Sequence, residues 1–150
     1  MKRVVILSDT HGLLREEVKK ELSKADAILH AGDINTQKIV DEIKTYAPLT
    51  VVRGNNDKEW AEAIRETEYV TIEGVRFFLV HNKKDIPKDL SDVDVVIYGH
   101  SHKYEERKEE DILYLNPGSC GKRRFGLEIC FCIMEIEEGT YHFEKIVIPQ

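Results

Sequence analysis

Short apolar runs that stop at polar, metal-competent residues constrain this chain more than any other feature. Val4-Val5-Ile6-Leu7 leads into Asp9-Thr10-His11, Ala27 to His30 into Gly32-Asp33, and Leu49 to Val52 into Gly54-Asn55-Asn56-Asp57. Further on, Val75 to Val80 ends at His81, and Val93 to Tyr98 leads into Gly99-His100-Ser101-His102. Compact runs rich in β-branched residues read as buried strands. Between the first three lie segments with helical spacing: Leu14, Val18 and Leu22 recur one turn apart, and Ile34 to Tyr46 forms a second such segment. The order strand–helix–strand–helix–strand predicts a parallel sheet with covering helices.

The second half reads mostly as strand. Tyr69 to Ile72 and Val75 to Val80 flank Glu73-Gly74, which predicts an antiparallel hairpin. Tyr104 to Lys108, Ile112 to Leu115, Leu127 to Glu135 and Tyr141 to Ile148 are further strand candidates, with Glu138-Gly139 as a turn. The charge-dense run Glu105 to Asp111 reads as a solvated turn or hairpin tip. Helices early and strands late predict two sheets packed face to face with helices outside. There is no linker, repeat or low-complexity tract, so residues 1–150 are expected to form a single domain. A chain of this length buries roughly 70% of its unfolded surface and needs no disulfide or structural metal to hold a core.

Composition excludes several classes. The net charge of -6 argues against extended nucleic-acid binding, which relies on Lys and Arg neutralising phosphates. It leaves room for one locally positive pocket. Cys120, Cys130 and Cys132 are odd in number and lack a CxxC pair, so they read as buried apolar residues in a reducing compartment. The first apolar run is too short for an export signal, and no stretch approaches ~20 apolar residues. The expectation is a cytoplasmic protein that spans no membrane.

The polar segments carry the chemistry. Asp9 and His11 alternate just past a strand, so both side chains can reach one ion. Asp33 has two carboxylate oxygens and can bridge two ions. Asn55 offers a neutral amide oxygen. His81 ends a strand, and His100 and His102 are two residues apart. Taken singly, Asp-x-His, Gly-Asp and Gly-Asn-Asn-Asp are ordinary loop chemistry. Taken together, each falls at the C-terminal end of a strand, where open α/β sheets bind ligands. Hard oxygens and imidazole nitrogens gathered there suit a two-metal hydrolytic site.

The ordered set D-x-H, G-D, G-N-x-D, H, G-H-x-H resembles the calcineurin-like metallophosphoesterases, over about Met1 to Ser119. Within them it looks most like the compact YfcE-type phosphodiesterase branch. The resemblance implies an α/β fold, a four-layer α/β/β/α sandwich of two mixed β-sheets. It implies one metal held by Asp9, His11, Asp33 and His102, and a second held by Asp33, Asn55, His81 and His100. It also implies an orienting role for Asp57, a substrate contact from Asn56, and a loop near the site at Asn116-Pro117-Gly118-Ser119. The implied activity is a divalent-metal-dependent phosphodiesterase: a hydroxide bridging two metal ions attacks phosphorus in line. Two divalent ions against two carboxylates and a hydroxide leave the site net positive, which suits a phosphodiester anion. Manganese heads the implied metals, with nickel, iron, zinc or cobalt as alternatives. The substrate is expected to be a small phosphodiester or nucleotide-like molecule, and homo-oligomerisation is left open.

Two departures mark this chain. Larger relatives carry His after the Asn ligand, where it can protonate the leaving group; here Asn56 cannot. Compact relatives often follow the fourth-segment His with Gly; here Asn82-Lys83-Lys84 follows His81. The competing readings are a non-catalytic interaction scaffold of the same fold, as in one subunit of the retromer complex, and a phosphomonoesterase. A complete donor set favours the enzyme over the scaffold. Outside the motifs, His30 reads as a hydrogen-bonded core histidine, His142 as structural or exposed, and Trp60 and Tyr69 as packing groups. Lys122-Arg123-Arg124 reads as a solvated loop, with a contact to substrate phosphate as the alternative.

Overall fold

A computed structural model describes residues 1–123 and 126–150. Arg124, part of the basic Lys122–Arg124 cluster, lies outside the described residues. The chain runs β1 (Lys2–Leu7), α1 (Glu16–Leu22), β2 (Ala27–His30), α2 (Gln37–Lys44) and β3 (Leu49–Val51). It continues β4 (Thr67–Ile72), β5 (Val75–Val80), β6 (Val95–Ile97), β7 (Glu105–Glu109), β8 (Ile112–Asn116), β9 (Ile129–Glu137) and β10 (Thr140–Ile148). Single 3-10 turns lie at Glu59–Ala61 and Lys83–Asp85.

Ten strands make two mixed five-stranded sheets among the described residues, ordered β10-β9-β1-β2-β3 and β4-β5-β6-β8-β7. In the first, β1, β2 and β3 run parallel and β9 and β10 antiparallel. In the second, β5, β6 and β8 run parallel while β4 and β7 pair antiparallel at the edges. The sheets face each other across a core of Val4, Ile6, Leu29, Phe77, Leu79, Val95, Ile97, Leu113, Leu115 and Met134. Alternate residues of β1, Val5 and Leu7, face the other way and meet Val18 and Leu22 of α1 and Ile39, Val40 and Ile43 of α2. Period-two burial on both faces explains why β1 is apolar from Val4 to Leu7. Each fully buried Val, Leu or Ile contributes about 1.5–3 kcal/mol of transfer free energy.

The two mixed sheets with helices outside are as the sequence predicts. The outer layer on the second sheet is thin: Ile86 and Leu90, in the segment after the 3-10 turn, pack over Phe78, Val80, Val96 and Tyr98. Both α-helices among the described residues lie on the first sheet. They also start later than their apolar patterns suggest. Arg15 is still extended, so α1 begins at Glu16. Asn35 has φ 80°, and Thr36 caps α2 by accepting from the Ile39 N–H, so that helix begins at Gln37.

Tyr69 differs from its expected packing role: it stacks on Phe78 with ring centroids 4.9 Å apart but stays 64% exposed, because β4 is an edge strand. Trp60 packs partly buried against the helix-side core, and His142 is exposed beside Glu135. The three cysteines are buried and free. The Glu105 to Asp111 run is strand β7 plus the turn Glu110-Asp111. No described helix is long and apolar enough to cross a membrane.

Candidate metal centre

The loops after β1, β2, β3, β5, β6 and β8 converge, and they bring the polar segments together. Two groups form. Asp9, His11 and His102 place one ligand atom each within 4.8 Å of one another, and so do Asp33, His81 and His100. In the first group the Nε2 atoms of His11 and His102 lie 3.1 Å apart, each 3.7 Å from Asp9 Oδ1. In the second, His81 Nε2 lies 3.1 Å from Asp33 Oδ2. That same oxygen is 3.8 Å from His11 Nε2, so Asp33 stands between the groups.

Asn55 joins the second group. One end of its amide lies 3.1 Å from His81 Nε2 and 3.2 and 3.3 Å from the Asp33 oxygens. Two of those neighbours are carboxylate oxygens, and the third, His81 Nε2, is an acceptor once the ring is neutral. Without a cation the amide nitrogen must face them; with one among them the oxygen would. Asp9 Oδ1 is buried and accepts no hydrogen bond. Burying two carboxylates and three imidazoles without a counter-ion is costly, and a divalent ion removes that cost. The donor set therefore fits divalent metal binding.

The electrostatics are consistent with this. Burial pushes the Asp33 carboxyl up, but hydrogen bonds from His81 and the Asn56 N–H, with the nearby His81 and His11, hold it below the ordinary carboxylate range. Burial lowers His81, yet the Asp33 hydrogen bond and the Asp9 and Asp33 charges raise it above its ordinary value. His81 Nδ1 lies 2.7 Å from the Ala31 carbonyl, to which it donates, and this aims Nε2 at Asp33.

Backbone geometry shows how tightly the site is built. Asp9, His11, Asp33, His100 and His102 all have φ between 46° and 74°, the left-handed region that costs a non-glycine residue about 1–2 kcal/mol. Such strain persists only where the surroundings impose it. Asp57 is one such constraint. Its carboxylate accepts from the backbone N–H groups of Asp33, Ile34, Asn35 and Gly54 at 2.8–2.9 Å, locking the second and third ligand segments together. Asn56 donates its N–H to Asp33 Oδ1 at 2.9 Å. Close approach is needed too: a Cβ on Gly54 would sit 2.1 Å from Asp33 Oδ1, and one on Gly99 2.1 Å from Ser8 Oγ.

Several supporting residues have no signal of their own in the sequence. Ser8 donates to Asp9 Oδ2 at 2.8 Å. Asn116 Nδ2 donates to the Gly99 carbonyl and to Ser101 Oγ at 3.2 Å, and Ser119 Oγ to the Asp9 carbonyl at 3.0 Å. Their loop, Asn116 to Ser119, carries the one hint available, its resemblance to a loop beside the site. His30 is fully buried: Nδ1 accepts from the Gly32 N–H at 3.0 Å, which leaves Nε2 to donate to Thr10 Oγ1 at 3.1 Å. Within the basic cluster, Arg123 turns to its own loop and donates to the Leu127 and Gly126 carbonyls.

The calcineurin-like phosphoesterase superfamily domain matches residues 1–139, and the chain belongs to that family. A probable metallophosphoesterase of Methanothermobacter thermautotrophicus is 32% identical, over 76% of this chain and 74% of its own length. A phosphodiesterase of Methanocaldococcus jannaschii is 29% identical, over 79% of this chain and 84% of its own. In structure, Vps29 of Chaetomium thermophilum superposes with a TM-score of 0.79 at 21% identity, covering 99% of this chain and 97% of that one.

Proposed function

We propose that this phosphoesterase is a phosphodiesterase working through two divalent ions. One would be held by Asp9, His11, Asp33 and His102, the other by Asp33, Asn55, His81 and His100. The observation that carries the reading is the pair of three-residue donor groups with Asp33 Oδ2 within reach of both. The similarity to a protein named as a phosphodiesterase supports the diester substrate. When bound, the two ions would supply a water ionised near neutral pH and neutralise charge developing on the phosphoryl group. Manganese suits this mixed oxygen and imidazole set, and nickel, iron, zinc or cobalt are alternatives.

The chain's own residues supply position. Asp57 and His30 hold the ligand loops in their strained conformations, and His81 is kept in one tautomer by the Ala31 carbonyl. Asn56 lies exposed beside Asp33, placed to touch a bound substrate. Its amide cannot donate a proton to a departing alkoxide, so diesters with good leaving groups are favoured over monoesters. The fold likeness to Vps29 keeps a non-catalytic scaffold as the second reading. The deciding experiment is hydrolysis of a chromogenic diester with Mn²⁺, Ni²⁺, Fe²⁺ or Zn²⁺ added, beside Asp33→Ala and His81→Ala. Activity in the wild type, lost in both variants, supports the enzyme. Inactivity with every metal would favour the scaffold.

A further inference from the structure

A pocket of about 480 Å³ opens beside the second donor group. Asn55, His81 and His100 line it, whereas Asp9, His11 and His102 do not. A substrate held at the centre would therefore place one ester substituent here, on the side of Asn55. Two cations line the same pocket from different sheets. Arg53 follows β3, its backbone fixed by an N–H bond to the Arg65 carbonyl at 2.9 Å. Lys84 follows β5 in the 3-10 turn that Asn82 caps, the Asn82 side chain accepting from the Lys84 N–H at 3.2 Å. Both belong to parts of the chain the catalytic reading does not use.

Two carboxylates, Glu66 and Asp85, share the lining. Glu66 Oε1 lies 3.2 Å from Arg53 Nη2, and its side chain is 78% exposed. A salt bridge so open to water is weak and exchangeable. Its geometry shows what Arg53 can hold: an oxyanion on the pocket side of the guanidinium. Lys84 makes no ion pair among the described residues. With Glu66 swung into solvent, two cations face one carboxylate, beside a metal centre that is itself positive.

We infer that this pocket binds a second phosphate, so that the preferred substrate is a phosphodiester with a phosphate monoester on one of its substituents. Glu66 occupies the Arg53 guanidinium until that phosphate replaces it. Arg is suited to the role because its planar fork matches phosphate oxygens in pairs. The inference rests on the phosphodiesterase reading, and its test separates the two.

The probes are two chromogenic twins: a nitrophenyl diester of a nucleoside monophosphate, and the same diester with a second phosphate on the other sugar hydroxyl. The wild type is expected to show a KM about tenfold lower for the phosphorylated twin, the worth of about one charge-assisted hydrogen bond. Arg53→Met is expected to shrink that gap to about twofold or less, and Glu66→Gln to widen it. Equal KM values for the twins, or a gap that survives Arg53→Met, would overturn the inference. Calorimetry on the metal-loaded protein repeats the comparison without turnover, using a nucleoside bisphosphate and its monophosphate. If neither twin is hydrolysed, the phosphodiesterase reading fails. A calorimetric preference for the bisphosphate that Arg53→Met abolishes then still supports the pocket, and equal affinities overturn it.

Discussion

Asp57 accepts four backbone hydrogen bonds from two of the candidate ligand segments. Asp57→Ala leaves buried N–H groups without partners at Asp33 and Gly54. The expected loss is on the order of 3 kcal/mol in denaturant unfolding, with weaker metal binding. His30 gives the acid side of the stability profile. Burial holds it at about 4, against an ordinary value of 6.5. Below pH 6.5 the unfolded chain takes up a proton that the native ring refuses. Stability is therefore full above that pH and falls as pH drops towards 4, by up to roughly 3 kcal/mol. His30→Gln should flatten that slope in unfolding curves recorded across this range; an unchanged slope would assign the acid sensitivity elsewhere.

Strands are the elements most legible in the sequence, because a run buried on both faces must be apolar throughout. β2 and β5 fall where their residues predict, and both Glu73-Gly74 and Glu138-Gly139 make two-residue hairpin turns with positive φ at each position. Helix starts were less legible, since they depend on the Arg15 and Thr36 backbones rather than on the apolar stripe. The antiparallel pairing of β1 with β9 was not legible at all: it joins distant segments, and no local pattern encodes a partner. The third hairpin turn supplies a test. Glu110 and Asp111 both adopt positive φ, at 50° and 66°, without a glycine between β7 and β8. Asp111→Gly should raise stability by about 0.5–1 kcal/mol, read as a shift in the denaturation midpoint. A loss of stability would mean that the Asp111 side chain supports the turn.

The whole molecule turns two mixed sheets into one site by bringing six strand ends together. The convergence of the polar segments was legible because each follows an apolar run; their role as metal ligands is the proposal made above. The left-handed backbone at Asp9, His11, Asp33, His100 and His102 was not legible, because tertiary contacts impose it against local preference. Since Asp33 and Asp9 keep His81 protonated to higher pH than usual, a metal bound at His81 as proposed would displace that proton. Metal affinity should fall as pH falls, and calorimetry in buffers of different ionisation enthalpy should record proton release; binding with no proton exchange would contradict the role of His81. With no proton donor at Asn56, hydrolysis rates should also rise steeply as the leaving group becomes more acidic, and a flat dependence would reveal an acid elsewhere. The most direct measurement is a titration of metal-free protein with Mn²⁺, following bound metal and diester hydrolysis together. Two ions per chain, with hydrolysis appearing as the second site fills and neither signal in Asp33→Ala, is the predicted result. Two ions bound with no hydrolysis, or full hydrolysis with one, would contradict it.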